Sequence, residues 1–158
     1  MGTSQSTRAV DDRASSSIDT RRRAIGRIAL GCFLVFAGIT HLTVSRQEFQ
    51  AQVPTWVPLD ADAVVLASGI VEITLGTALV VVRRRRRAIV GGVVAAFFVA
   101  VFPGNISQLV THTDAFGLDT DAARAIRLVF QPLLVLWALW STGAWRTWRN
   151  HRSAGHSA

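Results

Sequence analysis

Residues 80–90 read Val80-Val81-Val82-Arg83-Arg84-Arg85-Arg86-Arg87-Ala88-Ile89-Val90, five consecutive arginines wedged between two apolar runs. A soluble domain gains little from such a turn. A polytopic membrane protein gains an orientation, because clustered Arg in a short loop holds that loop on the cytoplasmic side. Working outward from the turn, a span of about Ala63–Val82 precedes it and one of about Ala88–Val110 follows it. Two more fit the roughly 20 helical residues that a bilayer core needs, at about Ala24–Thr43 and Ala123–Trp145. The span before the turn tests the assignment by magnitude. Its Leu, Ile and Val residues sum to about −3 to −6 kcal/mol of insertion free energy, against roughly +3 for the single acid Glu72.

Composition agrees. Among 158 residues, 50% are apolar and the mean hydropathy is +0.34. The net charge of +7 comes from Arg alone, with no Lys. These arginines cluster beside apolar spans and not along one amphipathic face, so the expected partner is anionic lipid headgroup at Arg83–Arg87, not nucleic acid. The Arg distribution orients the chain. Arg8, Arg13, Arg21, Arg22, Arg23 and Arg27, the turn, and Arg146, Arg149 and Arg152 fall on one side. Arg46, Arg124 and Arg127 fall on the other, with Glu48, Asp60, Asp62, Asp114, Asp119 and Asp121. Both termini are thus predicted to be cytoplasmic. Residues 1–20 read as a disordered cytoplasmic tail, 21–148 as the transmembrane domain and 149–158 as a second tail. Asp60 or Asp62, and Asp119, Thr120 or Asp121, are placed to cap helices.

Small residues predict how the spans meet. Gly31 and Gly38, and Gly69 and Gly76, are each seven apart and share a face. Gly92, Ala96, Ala100 and Gly104 form a stripe expected to admit a neighbouring backbone. Cys32, the single cysteine, reads as a small buried hydrophobe. It permits no internal disulfide and no C-x-x-C chemistry.

Polar groups inside lipid are costly, which makes them the candidate functional residues. Glu72 lies about 15 Å deep by helical rise. Asn105 and Gln108 stand in the outer part of the third span, Gln131 just before Pro132 in the fourth, and His41 near the outer end of the first. Arg127 is able to snorkel outward or to reach Glu72. All converge on the outer half, as a polar pocket or as interhelical hydrogen bonds that fix packing. No metal site is expected, since His41 and His112 lack a carboxylate cluster. No pair of His within the spans is placed to ligate haem. Phe49, Val53, Trp56 and Val57 suggest an interfacial segment over the outer mouth.

The order of several short motifs resembles the DoxX-like family of small bacterial integral membrane proteins. They are Gly38-Ile39-Thr40-His41, Val53-Pro54-Thr55-Trp56-Val57-Pro58, Ser68-Gly69-Ile70-Val71-Glu72 and Val101-Phe102-Pro103-Gly104-Asn105-Ile106. The resemblance spans about residues 24–145. It implies an all-α, four-transmembrane-helix bundle, N-in and C-in, in a bacterial inner membrane, and it draws notice to His41, Glu72 and Asn105. This chain has Pro103-Gly104-Asn105 where the family often has Pro-Ala-Asn, and it lacks the cysteine pairs of redox relatives. Three functions stay open. The first is a non-catalytic accessory or subunit of a redox or envelope complex, without cofactor, bound to a membrane-protein partner or to a second copy. The second is an oxidoreductase subunit holding a quinone, with Glu72 exchanging a proton and Asn105 or Gln108 donating to a carbonyl. The third is a small-solute or proton permease.

Overall fold

The computed structural model describes residues 3–44, 46–50, 52–112 and 120–154. Among these the protein is all-α: α1 (Thr3–Leu42), α2 (Arg46–Gln50), α3 (Ala61–Val81), α4 (Arg87–Val110), α5 (Asp121–Thr142) and α6 (Ala144–Ala154), with one 3-10 turn over Arg84–Arg86. Four stretches are long and apolar enough to cross a membrane: Ser16–Leu42, Ala61–Val81, Arg84–Val110 and Arg124–Thr142. The chain is a multi-pass membrane protein. Phe36, Ile70, Ile89 and Phe130 are each more than half exposed. In water that surface would drive aggregation, whereas in hydrocarbon it is the solvated face.

Connectivity places the start of the first span, the 83–87 turn and the end of α5 at one end of the bundle, the basic end. The α1–α3 and α4–α5 connections lie at the other, the distal end. Helix α3 opens on Asp60, whose carboxylate accepts from the Ala63 N–H at 3.0 Å. Asp62 is drawn away from capping by Arg46 and Gln50, which both donate to it and tie α2 to α3.

The two heptad glycine pairs join α1 to α3 in antiparallel fashion. A Cβ on Gly31 would stand 2.7 Å from the Gly76 carbonyl oxygen, and one on Gly38 would stand 2.6 Å from that of Gly69. The backbones therefore touch at two levels two turns apart, the close approach that drives helix association in lipid. The predicted stripe on α4 is corrected except at Gly104, where a Cβ would come 3.1 Å from the Gln52 carbonyl oxygen. A Cβ on Gly92 would meet nothing within 4 Å, and Ala96 and Ala100 are exposed. Helix α4 meets α5 one residue earlier, where buried Gly91 leaves room for the Thr142 side chain. One residue is about 100° around a helix, so a four-residue stripe identifies a face without telling whether a partner or lipid covers it. Cys32 is also exposed on the lipid-facing side of α1.

Helix α1 begins at Thr3, so the stretch read as an irregular tail is helical. No Pro or Gly interrupts residues 3–25, and propagation from an established membrane helix adds one bond per residue without a new nucleus. The fourth span ends earlier than expected. Gly143 adopts φ 75°, the left-handed conformation of a helix-terminating glycine. Helix α6 then starts anew, with the Trp145 and Trp148 rings 5.6 Å apart and Arg146 donating to Asp19 at 3.1 Å. Trp beside Arg on a short amphipathic helix suits a membrane interface. Asp114, Asp119 and the last four residues of the C-terminal tail lie outside the described residues.

The core is Leu30, Leu34, Leu79, Val94, Ala95, Phe98 and Ala138. All sit in the basic-end half or at mid-depth. The distal half is built differently.

Candidate functional site

In the distal half, α1 and α3 stand apart from α4 and α5 and enclose a cavity of about 810 Å³. Its walls are apolar, with Phe33, Phe98, Phe130 and Trp137 among them. The connector between α1 and α3 covers one side through Phe49, Val53, Pro54, Trp56 and Val57. Of the residues singled out from sequence, His41, Glu72, Asn105, Gln131 and Arg127 line this space. Gln108 does not; it is 1% exposed and packed elsewhere in the bundle. Of that pair only Asn105 lines the cavity.

Two polar groups form the floor. In the first, His41 Nδ1 lies 2.8 Å from the Ala37 carbonyl oxygen and 3.0 Å from Glu72 Oε2. One N–H cannot point along both lines. A carbonyl oxygen only accepts, so the close Ala37 contact requires Nδ1 to carry the hydrogen. Glu72 Oε2 is thereby left within ion-pair range of His41, buried, and without a hydrogen-bond partner. In the neutral ring Nε2 is the acceptor. Stacking on Phe49, with ring centroids 3.3 Å apart and planes 18° from parallel, fixes the imidazole.

In the second group, Asn105 Nδ2 donates to Gln131 Oε1 at 3.1 Å, and Gln131 Nε2 donates to the Phe98 carbonyl at 2.6 Å. Both helices carry an internal proline, Pro103 and Pro132. Pro103 supplies no N–H to the Val99 carbonyl one turn back, and the Gln131 amide donates to the neighbouring Phe98 carbonyl. Each amide still has one N–H to offer, and Asn105 Oδ1 adds an acceptor.

Arg127 turns to the connector instead of Glu72, donating to Gln52 Oε1 at 3.0 Å. Gln52 also has a buried amide nitrogen with no partner. Sequence reading missed Gln52 because it lies in a Pro-broken connector with no periodicity to assign it a face. Gly104 admits this segment: a Cβ there would come 3.1 Å from the Gln52 carbonyl oxygen. Outside the cavity, Arg46 is raised above the ordinary guanidinium range, chiefly by its hydrogen bond to Asp62. At the start of α5, Asp121 accepts from His112 at 2.8 Å and from Arg124 at 2.7 Å. These bonds, His112 first, hold its carboxyl below the ordinary range.

The site is thus a largely apolar chamber with a hydrogen-bonding floor in the distal half of the bundle. It holds a carboxyl, an imidazole and two amides, and an arginine stands nearer the mouth. Among the described residues no three of His, Cys, Asp and Glu come together to hold a metal. The profile of a domain of unknown function, DUF8561, matches residues 30–142, most of the chain. The chain belongs to the DUF8561 family. No curated protein and no solved structure matches it. The DUF8561 match contains every residue of the chamber floor and the connector, and it stops at the last residue of α5.

Proposed function

We propose that this DUF8561 protein is a bacterial inner-membrane subunit, N-in and C-in, that holds a lipid-soluble quinone in the distal chamber. In this reading it serves a larger redox or envelope complex as its ligand-binding or accessory component. The observation that carries the reading is the unpartnered Glu72 oxygen, buried beside His41 in a cavity whose walls are mostly apolar. An isolated carboxylate at that depth is costly. A quinol hydroxyl would donate to it as a carboxylate, and Glu72 in its protonated form would donate to a quinone carbonyl. Quinones match the rest of the chamber: an aromatic, apolar body for the walls, and two carbonyls in reach of donors such as the spare N–H of Asn105. Glu72 is then the group placed to exchange a proton with the ligand. A permease fits less well, because the buried cluster of Leu30, Leu34, Leu79 and Val94 fills the basic-end half below the chamber.

Titrating the purified full-length protein with a short-chain benzoquinone tests this. Trp137 lines the chamber, so saturable quenching of tryptophan fluorescence is expected. Glu72→Gln should weaken binding about tenfold, the worth of one buried hydrogen bond to a charged group, with no fall in protein yield. Unsaturable quenching, or identical curves for both proteins, would refute the quinone reading.

Orientation has its own test, in a Cys32→Ser background. Leu59 is exposed in the α1–α3 connector, and Arg85 lies in the basic turn. A membrane-impermeant maleimide added to intact cells should label Leu59→Cys and spare Arg85→Cys until the cells are broken. The reverse pattern would invert the topology.

A further inference from the structure

The basic end contains a second cavity, of about 210 Å³, that the quinone reading does not use. It opens where α1, the arginine turn and the α5–α6 junction meet. Arg23, Arg27, Arg84 and Arg87 line it, with Ser141 and Thr142. No acidic side chain is among its described lining residues.

The arginines are unequally engaged. Arg23 donates to Asp19 and to the Trp140 carbonyl, each at 3.1 Å, and its guanidinium lies 5.7 Å from the Trp140 ring centre. Arg27 is 5% exposed. One of its terminal nitrogens donates to the Leu79 and Val80 carbonyls, which end α3. Its Nε is buried with no partner, and so is the Nε of Arg87. Arg27 and Arg87 are close enough for their like charges to repel. Thr142 donates to the Ala138 carbonyl at 2.7 Å, and Ser141 contacts the same oxygen at 3.4 Å. The donors on offer are therefore guanidinium N–H groups. A buried donor left unmade is costly, and the convergence of Arg27 on Arg87 is more so. An anion corrects both at once.

We infer that this cavity is a discrete binding site for one phosphate-class anion, filled by the phosphodiester of an anionic phospholipid headgroup. Arginine suits this ligand because its planar fork pairs with phosphate oxygens. Basic pockets between membrane helices are known to take headgroups in this way. Such a site differs from diffuse attraction of lipid to the turn. Diffuse attraction would use all five arginines of residues 83–87 alike, whereas Arg83 and Arg85 do not line the cavity.

That difference supplies the test. The full-length protein, purified in mild detergent, is mixed with phosphatidylglycerol and weighed by native mass spectrometry. One lipid per chain should be retained. R84Q/R87Q should lower the bound fraction on the order of tenfold, given the contribution of each Arg to headgroup binding. R83Q/R85Q removes the same charge from the same turn and should change it little. Neither pair takes part in the Leu79 and Val80 contacts, so folding is not at stake as it would be for Arg27. Inorganic phosphate provides the second arm. Displacement of the lipid by phosphate supports the shared site. Phosphate binding that is sensitive to R84Q/R87Q, without lipid retention, supports the site and assigns it to a soluble source. Equal losses from the two double variants, or no adduct of either kind, would overturn the inference.

Discussion

Gly38→Val and Gly76→Val are each expected to leave little folded protein. The added side chain at Gly38 starts 2.6 Å from the Gly69 carbonyl oxygen and 2.8 Å from an Ile73 methylene. At Gly76 it meets the Gly31 carbonyl and stands 2.8 Å from a Val35 methyl. These obstacles are largely backbone, which cannot rotate away as a flexible side chain would. Overpacking a core typically costs 1–3 kcal/mol, and a clash between two backbones belongs at about 3 kcal/mol or above. Thermal unfolding in detergent, followed by size exclusion, should show midpoints lowered sharply or an aggregated peak. Gly92→Val is the control. It lies on a small-residue stripe of the same kind but faces open space, so its midpoint should match the parent. Comparable damage at Gly92 would mean that the α4 stripe, and not the α1–α3 glycine contact, holds the bundle.

The second large effect is expected from Ser68→Trp. Ser68 lies one turn from Glu72 on the chamber face of α3. An indole there occupies the space that the ligand would take and shields the Glu72 carboxyl. Quinone binding should be lost outright, while the helix contacts of α3, which run through Gly69 and Gly76, stay intact. Ala67→Trp places the same bulk on the exposed side of α3, where lipid yields, and binding should persist. Equal loss in both would trace the effect to helix distortion and away from the chamber.

Much of this was legible in the sequence, for identifiable reasons. Hydropathy determines the spans because a bilayer imposes one length on any chain that crosses it. Heptad glycines announced the α1–α3 contact because both members of each pair survive on one face. Convergence of His41, Glu72, Asn105 and Gln131 followed from their common place in the outer half: polar groups there in a narrow bundle have few places to go. What failed was rotation. Gln108 and Asn105 are three residues apart on α4, yet only Asn105 lines the chamber. Gly92 meets open space and Gly104 meets the connector, while Gly91 makes the contact with α5. Depth is encoded by position along a helix; azimuth depends on which neighbours pack where, and a weakly amphipathic membrane helix carries little record of that. Gln52 and the engagement of Arg127 were hidden for a related reason, since an irregular connector has no period. The Gly143 break was also missed, because Ala144 and Trp145 resume the apolar pattern after Ser141-Thr142-Gly143 and hydropathy alone does not register a left-handed residue.

The most direct test of the ligand-holding claim is what the protein carries out of its own membrane. The full chain and its Ser68→Trp variant are purified in mild detergent from native membranes, extracted with organic solvent, and analysed by absorption and mass spectrometry. A quinone near one molecule per parent chain, absent from Ser68→Trp, is the predicted result. A parent chain with no such molecule, or equal recovery from both proteins, would contradict it.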